Sequence, residues 1–292
     1  ILTHQKLPSP YLLLILTLPA IWIYSPLIKM FPVGLGLKMM ITATLLTSLA
    51  FFLLLPLFGP LKNKNRLAYL FLILCFGFLL SAHFSSGFNK ENAKPTSLVY
   101  ILDADKNTAQ WATYDHVLSS WTSQYVEANK AEPKNPSYDI LSSKYGTGFT
   151  FMSEAPVKNI APPKIETTLD TIIGDHRKLE ICLTPQRSTN RLEIFTNDVE
   201  ITKATINRIE LSEYYLKNRK NSKLVTHYVS NNDYTELQIT IPKESALELT
   251  LYEASNDLLN NPLFTVPPRP ENNIPMPFVL NDAILVSKKI KF

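Results

Sequence analysis

Two short groups of acidic side chains are the first candidates for chemistry in this sequence. The segment DADKN at residues 103–107 places oxygen atoms at alternate positions, as the start of an EF-hand calcium loop does. That loop also needs Gly at its sixth position and Glu at its twelfth, where this chain has Thr108 and Tyr114. Because strand-like residues flank the segment, it predicts an Asx-stabilised hairpin turn rather than a calcium site.

The second group is Asp175, His176 and Glu180, the only tight grouping of a histidine with carboxylates. A zinc site needs three or four converging ligands, and here a single histidine lies in a turn with no second one nearby in sequence. We interpret the group as a surface loop. The other four histidines are scattered along the chain, at positions 4, 83, 116 and 227.

Motifs that mark catalytic or nucleotide-binding sites are missing from the sequence. It contains no HExxH, no GxSxG nucleophile elbow and no GxxxxGK[ST] phosphate loop. Gly34 and Gly36 precede an apolar run, where they favour close helix contact over nucleotide binding. We therefore assign no catalytic, cofactor-binding or metal-binding residue to this chain, and expect it not to be an enzyme on its own.

Three long apolar runs precede these candidate groups in the chain and must position the part that contains them. They lie at residues 11–28, 39–58 and 67–84. None contains Asp, Glu, Lys or Arg, and each is near the roughly 20 residues that cross a bilayer as a helix. Pro19, Pro26 and Pro56 predict kinks, which neighbouring helices tolerate in a membrane. A signal peptide is the other interpretation of the first run. Because the chain opens at Ile1 and two further runs follow, we expect a missing N-terminal portion instead.

The runs divide the chain into a membrane region (residues 1–84), a linker (85–97) and an extracytoplasmic domain (98–292). Lys62, Lys64 and Arg66 lie between the second and third runs, which predicts that this loop is cytoplasmic. Lys29 and Lys38 flank the preceding loop and argue the other way. The domain has no Asn-x-Ser/Thr acceptor with a permitted middle residue, which favours a bacterial periplasm over an organelle lumen.

The charge balance argues against a nucleic-acid-binding protein, and the cysteine content argues against a disulfide-bonded one. The chain has 29 basic and 25 acidic residues, but the first 92 residues hold seven basic residues and one acidic one, so the remainder carries a net charge near −2. This balance argues against nucleic acid as a partner. The basic run at positions 217, 219, 220 and 223 is interpreted as a solvated turn. Cys75 lies in an apolar run and Cys182 in a predicted strand, so we expect no disulfide.

The pattern beyond the linker is that of a β domain. Residues 97–114 predict a hairpin, and Asp115 is placed to cap a helix in which apolar residues recur at helical spacing up to Val126. An irregular segment follows at residues 131–164, and a Pro-rich loop at 262–277. Alternating apolar residues predict seven further strands, at residues 179–184, 191–196, 204–211, 224–229, 235–241, 246–252 and 283–290.

The predicted fold class is thus three transmembrane α-helices followed by a mainly antiparallel β-sandwich domain with one substantial helix. Short strands that follow one another with polar turns between them are typical of such a sandwich. Its lack of an internal disulfide means that it depends on its own hydrophobic core.

Three segments carry a resemblance to a known family. They are SLVYILDADKNTAQWATYD (residues 97–115), TPQRSTNRLEIF (184–195) and PMPFVLNDAILVSKKIKF (275–292). Following a multi-span membrane region, they resemble the C-terminal part of membrane-bound zinc exopeptidases. These are aminopeptidase-like proteins akin to vacuolar membrane protease and endoplasmic reticulum metallopeptidase, and they include bacterial relatives.

The resemblance implies that catalysis and membrane anchoring belong to different parts of a longer polypeptide. In the family, an N-terminal extracytoplasmic domain binds two zinc ions and removes residues from peptide N-termini, and the spans and β domain follow. None of the zinc ligands, nor the general-base Glu, has a counterpart here. The expected partners are the lipid bilayer, the peptidase domain of the same polypeptide and, through it, peptide substrates. The alternative is a membrane-tethered binding or assembly module with no linked peptidase.

Overall fold

The structure is a computed structural model that describes residues 9–35, 40–58, 63–127, 148–219 and 222–292. The chain divides into two compact units, Ile1–Ser86 and Gly87–Phe292. The first unit is helical and the second is built from β-strands.

The described residues of the first unit form three long helices: α1 (Pro10–Leu35), α2 (Met40–Phe58) and α3 (Lys64–Ser85). Each is long and apolar enough to cross a membrane, so the prediction of three such helices is confirmed. Helices α1 and α2 pack against each other. The hydroxyl groups of Thr44, Thr47 and Ser48 each donate to the carbonyl four residues earlier, which satisfies these polar groups within α2.

The second unit contains fourteen strands in its described residues. They are β1 (Lys94–Thr96), β2 (Val99–Asp103), β3 (Thr108–Thr113), β4 (Phe151–Ala155), β5 (Lys164–Ile173), β6 (His176–Thr184), β7 (Arg191–Thr196), β8 (Lys203–Ile206), β9 (Ile209–Glu210), β10 (Lys223–Tyr228), β11 (Thr235–Pro242), β12 (Glu248–Ser255), β13 (Asn273–Pro275) and β14 (Ala283–Lys291).

The strands form a seven-stranded sheet, a five-stranded sheet and a two-stranded pair. The order is β10-β7-β12-β14-β2-β3-β4 in the first, β5-β6-β11-β8-β9 in the second, and β1-β13 in the pair. All pairings are antiparallel except β14 with β2 and β1 with β13. The mainly antiparallel architecture predicted from the sequence is confirmed.

The two sheets share a hydrophobic core. Alternation along a strand sends Ile194 and Leu251 to one side of the seven-stranded sheet, here called the inner face, where they pack with Ile181 and Ile239 of the other sheet. Further along the inner face, loops cover a second cluster around Tyr100, Trp111 and Trp121. The opposite face carries a third cluster that includes Phe195, Tyr252 and Leu285.

The predicted helix after Asp115 is wrong. The segment contains only a short 3₁₀ helix, Thr122–Gln124. Asp115 does not cap a longer helix; its carboxylate accepts from Ser97 N at 2.8 Å and from Thr122 Oγ1 at 3.0 Å. Trp121 Nε1 donates to the Pro267 carbonyl at 3.1 Å. The contacts with Ser97 and Pro267, which lie in other segments of the chain, override the local helical spacing. The described α-helix of this unit is α4 (Glu213–Asn218).

Other boundaries differ from the prediction in smaller ways. The hairpin at residues 97–114 is confirmed as β2 and β3. Strands β4 and β5 were not predicted, and most of the irregular segment, residues 131–147, lies outside the described residues. The strand predicted at 204–211 is split into β8 and β9 by Asn207 and Arg208, both with positive φ. Strand β1 lies within the predicted linker.

Candidate functional site

The segment at residues 103–107 forms the predicted hairpin turn. Asp103 Oδ1 accepts the backbone N–H groups of Asp105 and Lys106 at 3.1 and 3.0 Å. The Asp105 carboxylate pairs with the Lys288 ammonium and accepts Lys289 N at 2.7 Å. The carboxylates of this turn therefore hold the hairpin and fasten it to β14.

The group Asp175, His176 and Glu180 lies at the β5–β6 turn and along β6. Glu180 pairs with Lys178 at 2.7 Å, and Asp175 lies 3.5 Å from the Lys243 ammonium. Among the residues that the structure describes, no three His, Cys, Asp or Glu side chains are grouped so that they could hold a metal ion.

The basic run contributes contacts within the fold. Lys217 lies 3.9 Å from Glu213 within α4, and Lys223 pairs with Glu193 at 2.5 Å. Arg219 donates to Thr196 Oγ1 at 2.5 Å and lines a cavity of about 560 Å³ beside α4. Lys220 lies outside the described residues. The cations that the structure does describe thus already have partners.

Arg187 forms a buried ion pair on the inner face, where the two inner clusters meet. Its Nε lies 2.9 Å from Glu253 Oε1, and its Nη2 donates to the Glu253 carbonyl at 2.8 Å. The approach of Nε to Oε1 is an ion pair rather than a well-directed hydrogen bond. A further bond joins the guanidinium to Ser255 Oγ.

Burial dominates the electrostatics of this pair. Glu253 is 1% exposed, and burial raises the pKa of its carboxyl while the Arg187 charge lowers it. Burial likewise lowers the pKa of Arg187, against the raising effect of Glu253. Since each charge offsets the other's desolvation, neither side chain is available to a ligand.

Arg191 lies on the opposite face of the same sheet. Register places it across from Ala254 of β12 and Tyr228 of β10, on the side that carries Phe195. Its Nε and Nη2 atoms are buried, yet they have no hydrogen-bond partner in the described part of the chain. Buried polar groups are normally paired, so these two nitrogens are an exception, although burial raises the pKa of the Tyr114 hydroxyl and the Arg191 charge acts on it in the opposite direction.

A cavity of about 220 Å³ is lined in part by Arg191, and we call it the Arg191 pocket. Asn281 is one of its walls and is fixed by hydrogen bonds, because its Oδ1 accepts Met276 N at 3.0 Å and its Nδ2 donates to the Val279 carbonyl at 3.0 Å. The pocket is lined by Asn190, Arg191, Tyr228, Asn256, Val279, Leu280 and Asn281.

Sequence reasoning did not find this pocket. Its residues come from four separate segments, around positions 190, 228, 256 and 280, and no short motif connects them. Arg191 occurs in the sequence as the first residue of a predicted strand. Nothing in the sequence separates it from Arg187, which lies four positions earlier and has buried partners.

Comparison with known proteins leaves the family open. No family model matches the chain, and no curated protein is similar enough to it to count as a relative.

Proposed function

We propose that this chain is the non-catalytic membrane anchor and accessory β domain of a zinc-dependent membrane exopeptidase. Aminopeptidase-type proteolysis would be carried out by an N-terminal domain of the same polypeptide, outside the present sequence, which would hold the two zinc ions. The β domain would pack near that peptidase domain or shape the access of peptide substrates to it.

One observation carries the proposal. The three segments that resemble this family are separated by roughly 70 to 80 residues of chain, but they supply β2, β3, β7 and β14 of a single sheet. Those four strands include the centre of the seven-stranded sheet and follow three helices able to span a membrane. A resemblance spread over one structural unit supports common architecture better than scattered short matches would.

The proposed location of the β domain is outside the cytoplasm, in a bacterial periplasm. The support is the position of Lys64 and Arg66 at the start of α3, since basic residues near span ends are retained on the cytoplasmic side. Helix α3 would then lead outward to residue 87, where the β unit begins.

The catalytic part of the proposal is tested on the full-length gene product. Purified in detergent, it should release the N-terminal residue of a fluorogenic peptide, and a zinc chelator should abolish that turnover. The present chain alone should be inactive. Removing residues 87–292 from the full-length protein should lower activity on peptides more than on a single-residue amide. A full-length product with no chelator-sensitive activity would exclude the peptidase.

Orientation is tested with single cysteines in a background in which Cys75 and Cys182 are replaced by Ala. Glu244→Cys lies on an exposed turn of the β domain and should react with a membrane-impermeant thiol reagent in intact bacterial cells. Lys64→Cys is the matched control on the other side and should react only after the membrane is opened. The reverse pattern would invert the proposed topology.

A second candidate function is a membrane-tethered binding or assembly module with no linked peptidase. The Arg191 pocket favours it, because a cavity lined by amide, hydroxyl and apolar side chains and by no acidic residue is suited to binding rather than to turnover. Lack of zinc-dependent activity in the full-length product, with ligand binding retained, would select this candidate.

A further inference from the structure

We propose that one surface patch of the β unit, Gly87–Phe292, contacts the lipid bilayer. The patch consists of the exposed side chains of Phe88, Val117 and Ile274 around Lys94, and we call it the Lys94 patch. Its apolar members come from three separate parts of the chain, so the fold itself brings them together. The inference goes beyond the proposed function, because it holds whether or not a peptidase is linked.

The contacts of one lysine define the patch. The Lys94 ammonium lies 5.8 Å from the centroid of the Phe88 ring. It also donates to the Leu118 carbonyl at 3.3 Å, next to Val117. Lys94 begins β1, and the register of β1 with β13 places Ile274 beside the residue that follows this lysine. Three apolar side chains thus surround a single cation.

The backbone that carries the patch is fixed by contacts within the fold. Asp115, two residues before Val117, is buried, and its carboxylate accepts Ser97 N at 2.8 Å just after β1. Arg269 Nη1 donates to backbone carbonyls of both β1 and β13, at 2.9 and 3.4 Å. The patch is therefore already formed in the folded β unit.

The apolar side chains of the patch are largely exposed. Phe88, Val117 and Ile274 are 59%, 69% and 46% exposed. Single exposed apolar side chains are normal, whereas several around one point are typical of a surface that meets lipid or another protein.

The connection to α3 favours lipid as the partner. Helix α3 has 22 residues, about 33 Å in length, which matches the roughly 30 Å hydrocarbon core of a bilayer. It ends at Ser85, and Phe88 follows three residues later, a separation that the chain limits to about 10 Å. The headgroup layer on each side of the core is about 5 to 7 Å thick. Phe88 therefore lies in or beside the headgroups, whichever side of the membrane the β unit occupies.

The chemistry of the patch suits a membrane interface without selectivity for lipid charge. Aromatic and aliphatic side chains bury apolar area at the boundary between headgroups and acyl chains, where a lysine keeps its stem on apolar surface. Close by in sequence, Lys90 pairs with Glu271 at 2.8 Å, so charges of both signs are present. Neutral phosphatidylcholine should therefore be sufficient for the contact.

The test uses the full chain in phosphatidylcholine liposomes, with a nitroxide spin label on a single cysteine. Cys75 and Cys182 are replaced by Ala, and the label is attached in Val117→Cys or Ile274→Cys. Ile209→Cys is the matched control, because Ile209 is 71% exposed but belongs to β9 of the five-stranded sheet.

Power-saturation EPR measures how accessible each label is to oxygen, which concentrates in lipid, and to a nickel chelate, which stays in water. The ratio of oxygen to nickel accessibility should be at least about threefold higher at residues 117 and 274 than at the control, because apolar groups at the interface are removed from water.

Charge substitutions connect the members of the patch. Val117→Asp should lower the accessibility ratio of a label at residue 274 toward that of the control, because an ionised carboxylate is costly to place in lipid. Ile209→Asp should leave that ratio unchanged. Both substituted side chains are exposed, so each variant should retain its unfolding transition.

Three results would overturn the proposal. Labels at residues 117 and 274 that react to the nickel chelate as the control does would show that the patch faces water. Low accessibility to both reagents would show that a second copy or another protein covers it. An equally high ratio at residue 209 would show that apolar exposure alone, and not this patch, determines contact with lipid.

Discussion

The two faces of the seven-stranded sheet each carry an arginine, and the two arginines differ in whether their buried nitrogens have partners. On the inner face, Arg187 is held by Glu253, Ser255 and backbone carbonyls where two hydrophobic clusters meet. On the opposite face, Arg191 has two buried nitrogens with no partner among the described residues. Burial alone therefore does not assign a role to a charged side chain. A buried charge with a partner is compensated within the fold, whereas buried nitrogens without a partner lower its stability.

Among the substitutions that test this comparison, Arg187→Met is expected to change the free energy of unfolding most. It leaves the Glu253 carboxylate, 1% exposed, without its counter-ion, and the free energy of unfolding should fall by about 3 to 5 kcal/mol. Urea unfolding of the full chain in micelles, followed by tryptophan fluorescence, measures it. Combining Arg187→Met with Glu253→Leu should recover most of the loss, because the buried charge is then gone. A loss below about 1 kcal/mol would show that the pair is not structural.

A pH dependence should accompany that loss. Burial raises the pKa of Glu253 above its ordinary value of 4.5, and Arg187 opposes this. Between the ordinary and the raised pKa the folded state binds more protons than the unfolded state, so stability falls as pH rises, by up to about 1.4 kcal/mol per pH unit. Arg187→Met widens this window, so its deficit relative to wild type should be larger near pH 8 than near pH 5. Glu253→Gln should abolish the difference.

Arg191→Met should not lower the free energy of unfolding, in contrast to Arg187→Met. No ion pair is lost, and a partly buried cation without a partner is replaced by an apolar side chain of similar length. We expect the free energy of unfolding to stay unchanged or to rise by about 1 kcal/mol. The same urea titration measures it, with Arg187→Met as the reference. A loss of several kcal/mol would mean that Arg191, like Arg187, serves the fold.

The smallest effect is expected from Arg177→Met. Its bidentate partner Asp170 is 41% exposed, so water and salt screen the pair even though the geometry lowers the pKa of Asp170. The free energy of unfolding should fall by less than about 1 kcal/mol, and the fall should shrink in high salt. A salt-independent loss comparable to that of Arg187→Met would remove the distinction between buried and exposed pairs.

Strands with alternating burial were predictable from the sequence. In β11, every second residue from Thr235 to Ile241 is buried, and this period of two identifies a strand with one buried face. Strand β5 was missed because it lies at the edge of its sheet and most of its side chains are exposed, so no such period remains. The helix predicted after Asp115 failed because Asp115 and Trp121 bond to Ser97 and Pro267, which lie far away in sequence and which local spacing cannot reveal.

The Arg191 pocket could not be predicted from the sequence, and the reason is different. Arg187 and Arg191 have similar neighbours in sequence, namely polar residues before an apolar strand. Their difference depends on whether an acidic residue from β12 reaches the guanidinium. Alternation along β12 sends Glu253 to the inner face and Ala254 to the face of Arg191, and only the register of the strands determines which arginine meets the carboxylate.

Because β2 pairs with β14, the seven-stranded sheet cannot be completed until late in the synthesis of the chain. Residue 99 cannot meet its partner, residue 283, until about 180 more residues have been made, which takes roughly 10 to 40 s at ~5 to 20 residues per second. During that interval the β2–β3 hairpin, with Tyr100 and Trp111, has no neighbour on the β2 side. The nascent hairpin therefore exposes the unpaired backbone N–H and C=O groups of β2, and a chain that stalls before residue 283 should be recognised by chaperones and quality-control proteases.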